Sequence, residues 1–295
     1  MAEALTGSRA SRVLIVGIDG LGAAFLERAF DRLPNLSRLA AEGTSTLRAR
    51  SVFPSVSAPA WGAVLCSQGP PESGILGNSW TPEPRWTDPP TLPLTPGEDG
   101  GEINAMPPSS GRGKVPETLW AVAKAAFAAQ KRPFRTATVL GWDWIHYLCA
   151  DCDQLLRHKD DEEAAIAMAS LIREDAPQLM FIHLDDVDHA GHDHGWGSDA
   201  YFAAMCDADR RLGMLLEALS DVGIAEETLV IIVADHGGVD NDHGGFTQVE
   251  LFVPFLARGP GVHRGRELSE EAACAVSLLD VAPTALSALG VAPGN

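Results

Sequence analysis

LVIIVADHGG, residues 229–238, is an apolar run that ends abruptly in an aspartate, a histidine and two glycines. Leu229 to Ala234 reads as a short strand buried on both faces, because no polar residue alternates with the apolar ones. Asp235 and His236 at its end have no packing value beside glycines. The same construction occurs twice more. Val13 to Ile18 runs into Asp19 within VGIDG, and Leu179 to Leu184 runs into DDVDHAGH, which holds Asp188 and His192. His243 follows shortly after the first stretch, in NDHGG. Strands buried on both faces belong to parallel sheets, whose carboxyl ends converge on one edge where ligands collect.

The rest of the chain fits that reading. LGAAFLERAF and PNLSRLAAEG read as helices, the second opened by Pro34 and closed by Gly43. Pro116 to Gln130 and Ser198 to Leu219 have helical spacing. RTATVLG and LFVPFLARG read as strands, and SLLDVAPTALSALG as a C-terminal helix. The fold class expected is α/β, a mostly parallel central sheet sandwiched by helices, in a single catalytic domain over 1–295. The stretch 81–115, with TPEPRWTDPPTLPLTPGEDGG at its centre, is rich in Pro and Gly and has no periodicity. It reads as an insertion near the site, either a lid or a surface loop without function.

With 295 residues, 45% hydrophobic and 21% charged, the chain can bury a sizeable core. Its net charge of -18 speaks against binding a nucleic-acid polymer, which needs a basic footprint. A small phosphorylated substrate stays compatible, because bound metals reverse the local field. No apolar run approaches the ~20 residues of a membrane span, and MAEALTGSRASR has no apolar signal core. Five cysteines leave at least one unpaired, which points to a cytoplasmic chain with reduced thiols. Cys149 and Cys152 form a lone CxxC, read as structural or incidental.

Asp188 and His192 are four apart, so on a helix they share a face and can bind one ion, with His243 completing the set. Asp19, Asp235 and His236 form a second set. A lone aspartate after a strand is also a common helix cap, and DVDHAGHDHG could be a solvated acidic loop. Three clusters, each behind its own strand, favour metal. Nitrogen and carboxylate donors without thiolates suit zinc, and also manganese or iron. Two such ions clamp the attacking and leaving oxygens of an in-line displacement. FPSVSAPAWGAVL places Ser55 and Ser57 before a small-residue helix, where a serine is either an N-cap or a nucleophile.

These motifs, together with ESGILGNSW, VPFLARGPGV and LLDVAPTALSALG, occur in an order that resembles the alkaline phosphatase superfamily, most closely its type I phosphodiesterase and nucleotide pyrophosphatase branch. The resemblance implies an alkaline phosphatase-like fold. It implies that Asp19, Asp235 and His236 hold the metal that activates the nucleophile, and that Asp188, His192 and His243 hold the one serving the leaving group. Ser57, in Ser57-Ala58-Pro59, matches the nucleophile motif and would itself ligate, whereas Ser55 does not match. Asn78 resembles the asparagine that donates to a phosphoryl oxygen. Its alternative is a turn residue after Gly77. Ala60 departs from an asparagine common in relatives. Trp61 stands where sulfatases need arginine, which sets that branch aside. His243 follows ADHGG more closely than in nucleotide pyrophosphatases, which weakens the link to nucleotides.

The activity implied is hydrolysis of a phosphoric ester with two divalent metals, through a phosphoseryl intermediate. Asn78 and the backbone N–H of Ser57 or Ala58 would steady the phosphoryl oxygens. The resemblance favours diesters or pyrophosphates, with monoester or phosphonate hydrolysis as alternatives on the same site. Group transfer to another acceptor is a further reading, although such relatives are usually membrane-tethered. A reading of another class is a metal-binding protein without catalysis, against which the full set of ligands and a serine argue. Asp185, Asp186, His189 and His194 crowd the ligands and could orient them. Trp80, Trp86, Trp142 and Trp144 either shape the leaving-group pocket or pack.

Overall fold

The computed structural model describes residues 9–82 and 112–292. Its strands are β1 (Arg12–Ile18), β2 (Thr44–Arg50), β3 (Thr81–Pro82), β4 (Arg112–Gly113), β5 (Thr136–Leu140), β6 (Gln154–Arg157), β7 (Leu179–Leu184), β8 (Thr228–Val233), β9 (Phe252–Arg258) and β10 (Arg266–Glu267). The helices are α1 (Ala23–Glu27), α2 (Pro34–Glu42), α3 (Ser57–Cys66), α4 (Pro70–Ser73), α5 (Leu119–Ala129), α6 (Asp161–Asp175), α7 (Asp186–His194), α8 (Asp199–Asp221), α9 (Gln248–Leu251), α10 (Glu270–Ala273) and α11 (Val281–Ala288).

Eight strands form one sheet in the order β10-β2-β9-β8-β1-β7-β5-β6. The pairings are parallel except where β9 meets β2 and β8, so the sheet is mixed and mostly parallel as expected. β1, β7 and β8 are buried along nearly their whole length, in line with their largely apolar sequence. β1 lies between the other two, with Val13 opposite Leu179 on one side and Leu229 on the other. The three strands that carry aspartates at their ends are therefore neighbours at the centre of the sheet.

Two groups of helices cover the sheet. α2, α6, α7 and α8 pack together, and α3, α5 and α11 form the other group. Local signals set the helix ends. Pro34 opens α2, and the buried Asp209 of α8 accepts from the backbone N–H of Asn35 and Leu36, serving donors that no residue within α2 can satisfy. Ser198 caps α8, and Asp160 caps α6 ahead of three acidic residues in its first turn. The insertion expected at 81–115 lies outside the described residues from 83 to 111. Its flanks, β3 and β4, pair in parallel as a separate two-stranded ribbon.

Candidate active site

Past the last residue of β1, Asp19 keeps strand-like pairing through its N–H to Leu184, and the chain then turns at Gly20. Gly20 has a φ of 68° and lies so close to α7 that a Cβ would sit 2.8 Å from the Cα of Asp188. Only glycine fits there. Its carbonyl accepts from the Tyr201 hydroxyl (2.8 Å) and the Trp196 indole (3.0 Å), which pins the turn. Beyond β7, the buried Asp161 accepts from the backbone N–H of Asp185 and Asp186, and Arg211 of α8 reaches Asp186 at 2.7 Å. The start of α7 is thus fixed from two other helices.

These constraints bring the expected ligands together. His236 Nε2 lies 3.2 Å from Asp235 Oδ2, 3.4 Å from Asp19 Oδ1 and 4.0 Å from Asp188 Oδ1. His243 Nε2 lies 3.9 Å from Asp188 Oδ1, and its ring stacks on His236 with centroids 3.6 Å apart. Ligand atoms of Asp19, Asp235 and His236 form one compact group, as the sequence suggested. Asp188, His236 and His243 form another, so His236 belongs to both. His192 stands further out. It is exposed on α7, with Nε2 3.4 Å from Asp188 Oδ2.

Side-chain orientation is controlled throughout. Nδ1 of His192, His236 and His243 each face a backbone carbonyl, of Asn241 (2.9 Å), Gly237 (3.0 Å) and Ser55 (3.0 Å). Each Nδ1 is the donor in that pairing, which leaves Nε2 as a free lone pair. The carboxylates are divided in the same way. Asp235 Oδ1 accepts from the N–H of Gly20 and His236, while Asp19 Oδ2 accepts from Trp61 Nε1 and His183 Nε2. Their other oxygens, Asp235 Oδ2 and Asp19 Oδ1, are buried without a hydrogen bond, and so is Asp188 Oδ1. Buried carboxylate oxygens are rarely orphaned in this way. Three of them facing neutral imidazole nitrogens fit divalent cations.

The electrostatics agree. Burial, and then the negative charge of Asp19, push the carboxyl groups of Asp235 and Asp188 well above the usual range. Burial works the same way on Asp19, but the hydrogen bond from His183 and the proximity of His236 outweigh it and hold that carboxyl below the usual range. Burial and neighbouring His243 bring His236 down to about 3, and burial lowers His243. His236 and His243 favour the neutral form, and the acidic groups crowd one another in a space that a cation would neutralise.

Ser57 is the first residue of α3 and is buried; Val56 occupies the cap position, so the Ser57 hydroxyl is not spent on capping. Its Oγ is 3.3 Å from His236 Nε2, beside the ligand groups. Ser55 is turned away, its hydroxyl donating to Gly245 O. Asn78 is exposed, and its Oδ1 accepts from Ala58 N–H at 2.9 Å. The Ala58 N–H, one of two backbone donors expected to meet phosphate, is therefore engaged by Asn78. Among the described residues, no acceptor faces the Asn78 amide or the Ser57 N–H, which leaves both as candidate phosphate donors.

Several other candidates take different places. Asp185 approaches His189 at 3.4 Å and groups with Asp19 and His183. Trp80 and Trp144 are buried, with Trp142 stacked on Trp144, and Trp86 lies outside the described residues. Cys149 and Cys152 are free thiols pushed up by burial, in keeping with a structural role. Sequence reasoning passed over His183, which sits within the apolar run of β7 and looked like part of the core.

The profile of the family described as type I phosphodiesterase / nucleotide pyrophosphatase matches residues 13–255. Among curated proteins, arylsulfatase K of Danio rerio is 39% identical over 98 residues, 31% of this chain and 18% of that protein. Arylsulfatase K of Homo sapiens is 34% identical over 98 residues, with coverage of 31% and 18%. The chain thus spans less than a fifth of these relatives. Among solved structures, murine ectonucleotide pyrophosphatase / phosphodiesterase 5, as an inactive variant in complex with AMP, superimposes with a TM-score of 0.69 at 14% identity, covering 97% of both chains. That likeness shows a shared fold.

Proposed function

The chain belongs to the type I phosphodiesterase / nucleotide pyrophosphatase family and is a hydrolase of that class, and from that premise we propose that it cleaves small phosphoric diesters or pyrophosphates through a phosphoseryl intermediate. The observation that carries this reading is the position of Ser57 Oγ, uncapped and 3.3 Å from His236, beside three orphaned carboxylate oxygens.

Asp19, Asp235 and His236 would hold one divalent ion, and Asp188, His192 and His243 a second. Zinc suits this donor set, with manganese or iron as alternatives. Bound there, the ions supply Lewis acidity to the attacking and departing oxygens. Ser57 Oγ attacks phosphorus in line. The new Oγ–P bond forms as the ester P–O bond breaks, and the departing oxygen takes up a proton. The Asn78 amide and Ser57 N–H donate to the non-reacting oxygens, at the start of α3 where backbone donors lack helical partners. Water then cleaves the seryl phosphate and restores the hydroxyl. Monoesterase and phosphonate hydrolase activities use the same groups.

The AMP bound by the murine neighbour supports a small nucleotide-like substrate. The close spacing of His236 and His243 argues for a broader range. Among the described residues no helix is long and apolar enough to cross a membrane. Five free cysteines support a reducing, cytoplasmic setting.

Purified chain with added zinc should hydrolyse bis-p-nitrophenyl phosphate, and EDTA should abolish the activity. Ser57→Ala should lower kcat by about a thousandfold or more while metal content is unchanged. Full activity in that variant would rule out Ser57 as nucleophile.

A further inference from the structure

The two carboxylates of the nucleophile-side ligand set are held by different means. Asp235 is held by backbone N–H groups, those of Gly20 and His236. Asp19 is held by two side chains. Trp61 Nε1 and His183 Nε2 both lie 2.9 Å from the same oxygen, Oδ2. Both residues are fully buried, so neither donor has water as an alternative partner.

The proton on His183 Nε2 is fixed from the far side of the ring. The backbone N–H of Trp142 donates to His183 Nδ1 at 3.3 Å, so Nδ1 is the acceptor and Nε2 carries the hydrogen. The Trp61 and His183 rings meet edge to face, with centroids 4.9 Å apart and an interplanar angle of 80°, so each restricts the other. Gly17 of β1 leaves room for the indole, since a Cβ there would lie 2.5 Å from Trp61 Cη2. The result is an asymmetric carboxylate. Oδ2 accepts two hydrogen bonds, and Oδ1 has none and faces His236 Nε2 at 3.4 Å.

A carboxylate free to turn can bind an ion through both oxygens. One whose second oxygen is saturated binds through one only. Four-coordinate zinc is satisfied by single oxygens and nitrogens, whereas manganese prefers a larger, oxygen-rich shell. We propose that His183 and Trp61 are positioning residues that hold Asp19 to a single ligating oxygen and thereby favour zinc over manganese. This rests on the reading of the cluster as a metal centre, and the test uses binding alone, without turnover.

Zinc and manganese affinities would be measured by chelator competition on metal-stripped wild type, His183→Leu, His183→Gln and Trp61→Phe, with circular dichroism confirming the fold. His183→Leu and Trp61→Phe should each lose zinc affinity by about tenfold or more and manganese affinity by a smaller factor. His183→Gln, which retains an N–H at the end of its side chain, should keep the zinc-to-manganese ratio of wild type. An unchanged ratio in the folded variants overturns the proposal, and so does a His183→Gln ratio equal to that of His183→Leu. If His183→Leu fails to fold, Trp61→Phe and His183→Gln decide by the same criteria. Wild type that binds no zinc would instead remove the metal reading itself.

Discussion

At the scale of single residues, the protonation of the cluster sets how it takes up metal. Asp188 and Asp235 have carboxyl groups raised well above the usual range by burial and by the negative charge of Asp19, whereas His236 is brought down to about 3 and His243 is also lowered. A cation entering the cluster would therefore displace protons from carboxyl groups and not from the imidazoles of His236 and His243. Zinc affinity should fall as pH is lowered, by up to about tenfold per unit for each proton displaced. Calorimetry in buffers of different ionisation enthalpy checks this, and binding with no proton release would contradict it. The candidate ligands were legible in the sequence because aspartate and histidine at strand ends have no packing use, and the fold brings them together. The roles of His183 and Trp61 were not legible. Both lie in runs that look like core, and their partner, Asp19, is 164 and 42 residues away, so the contact exists only after folding.

At the scale of elements, the centre of the sheet transmits packing to chemistry. Gly17 in β1 faces Trp61 in α3, and Trp61 holds Asp19. Gly17→Ala should push the indole out of place, costing about 1–3 kcal/mol of stability and also weakening zinc binding. Ile15→Val, in the same buried strand, should cost about 1 kcal/mol and leave zinc affinity as it was. Urea unfolding and metal titration on the pair separate the two effects, and equal zinc affinity in both variants would contradict the coupling. β1, β7 and β8 were readable from runs that are apolar apart from His183 and the first residues of β1 and β8. β2, TSTLRAR, was not, because two arginines and two threonines obscure a strand that pairs antiparallel with β9. The four-residue β6 is half exposed and short enough to pass as a loop. α6 has apolar residues diluted by an acidic first turn, which stabilises its start but disguises its buried face. α7 was foreseen only as a condition for bringing Asp188 and His192 onto one side.

At the scale of the whole molecule, a net charge of -18 surrounds a site that we propose binds anions. The distant field repels a phosphate ester, and salt screens distant charges more than buried ones. For a diester, kcat/KM should rise by about two- to threefold between low and physiological ionic strength, with kcat little changed. A fall would mean that the metal-bearing mouth dominates the field. The strand order carries a consequence in time as well as in space. β1 is made first, yet its neighbours are β7 and β8, and Gly20 meets the carboxylate of Asp235 across 215 residues of chain. At about 5–20 residues per second of synthesis, both edges of β1 wait many seconds for a partner. A nascent chain of that length presents an apolar strand to any other strand nearby. On the proposed reading, the full set of candidate ligands exists only in a chain translated through His243, so metal capture would come late in synthesis.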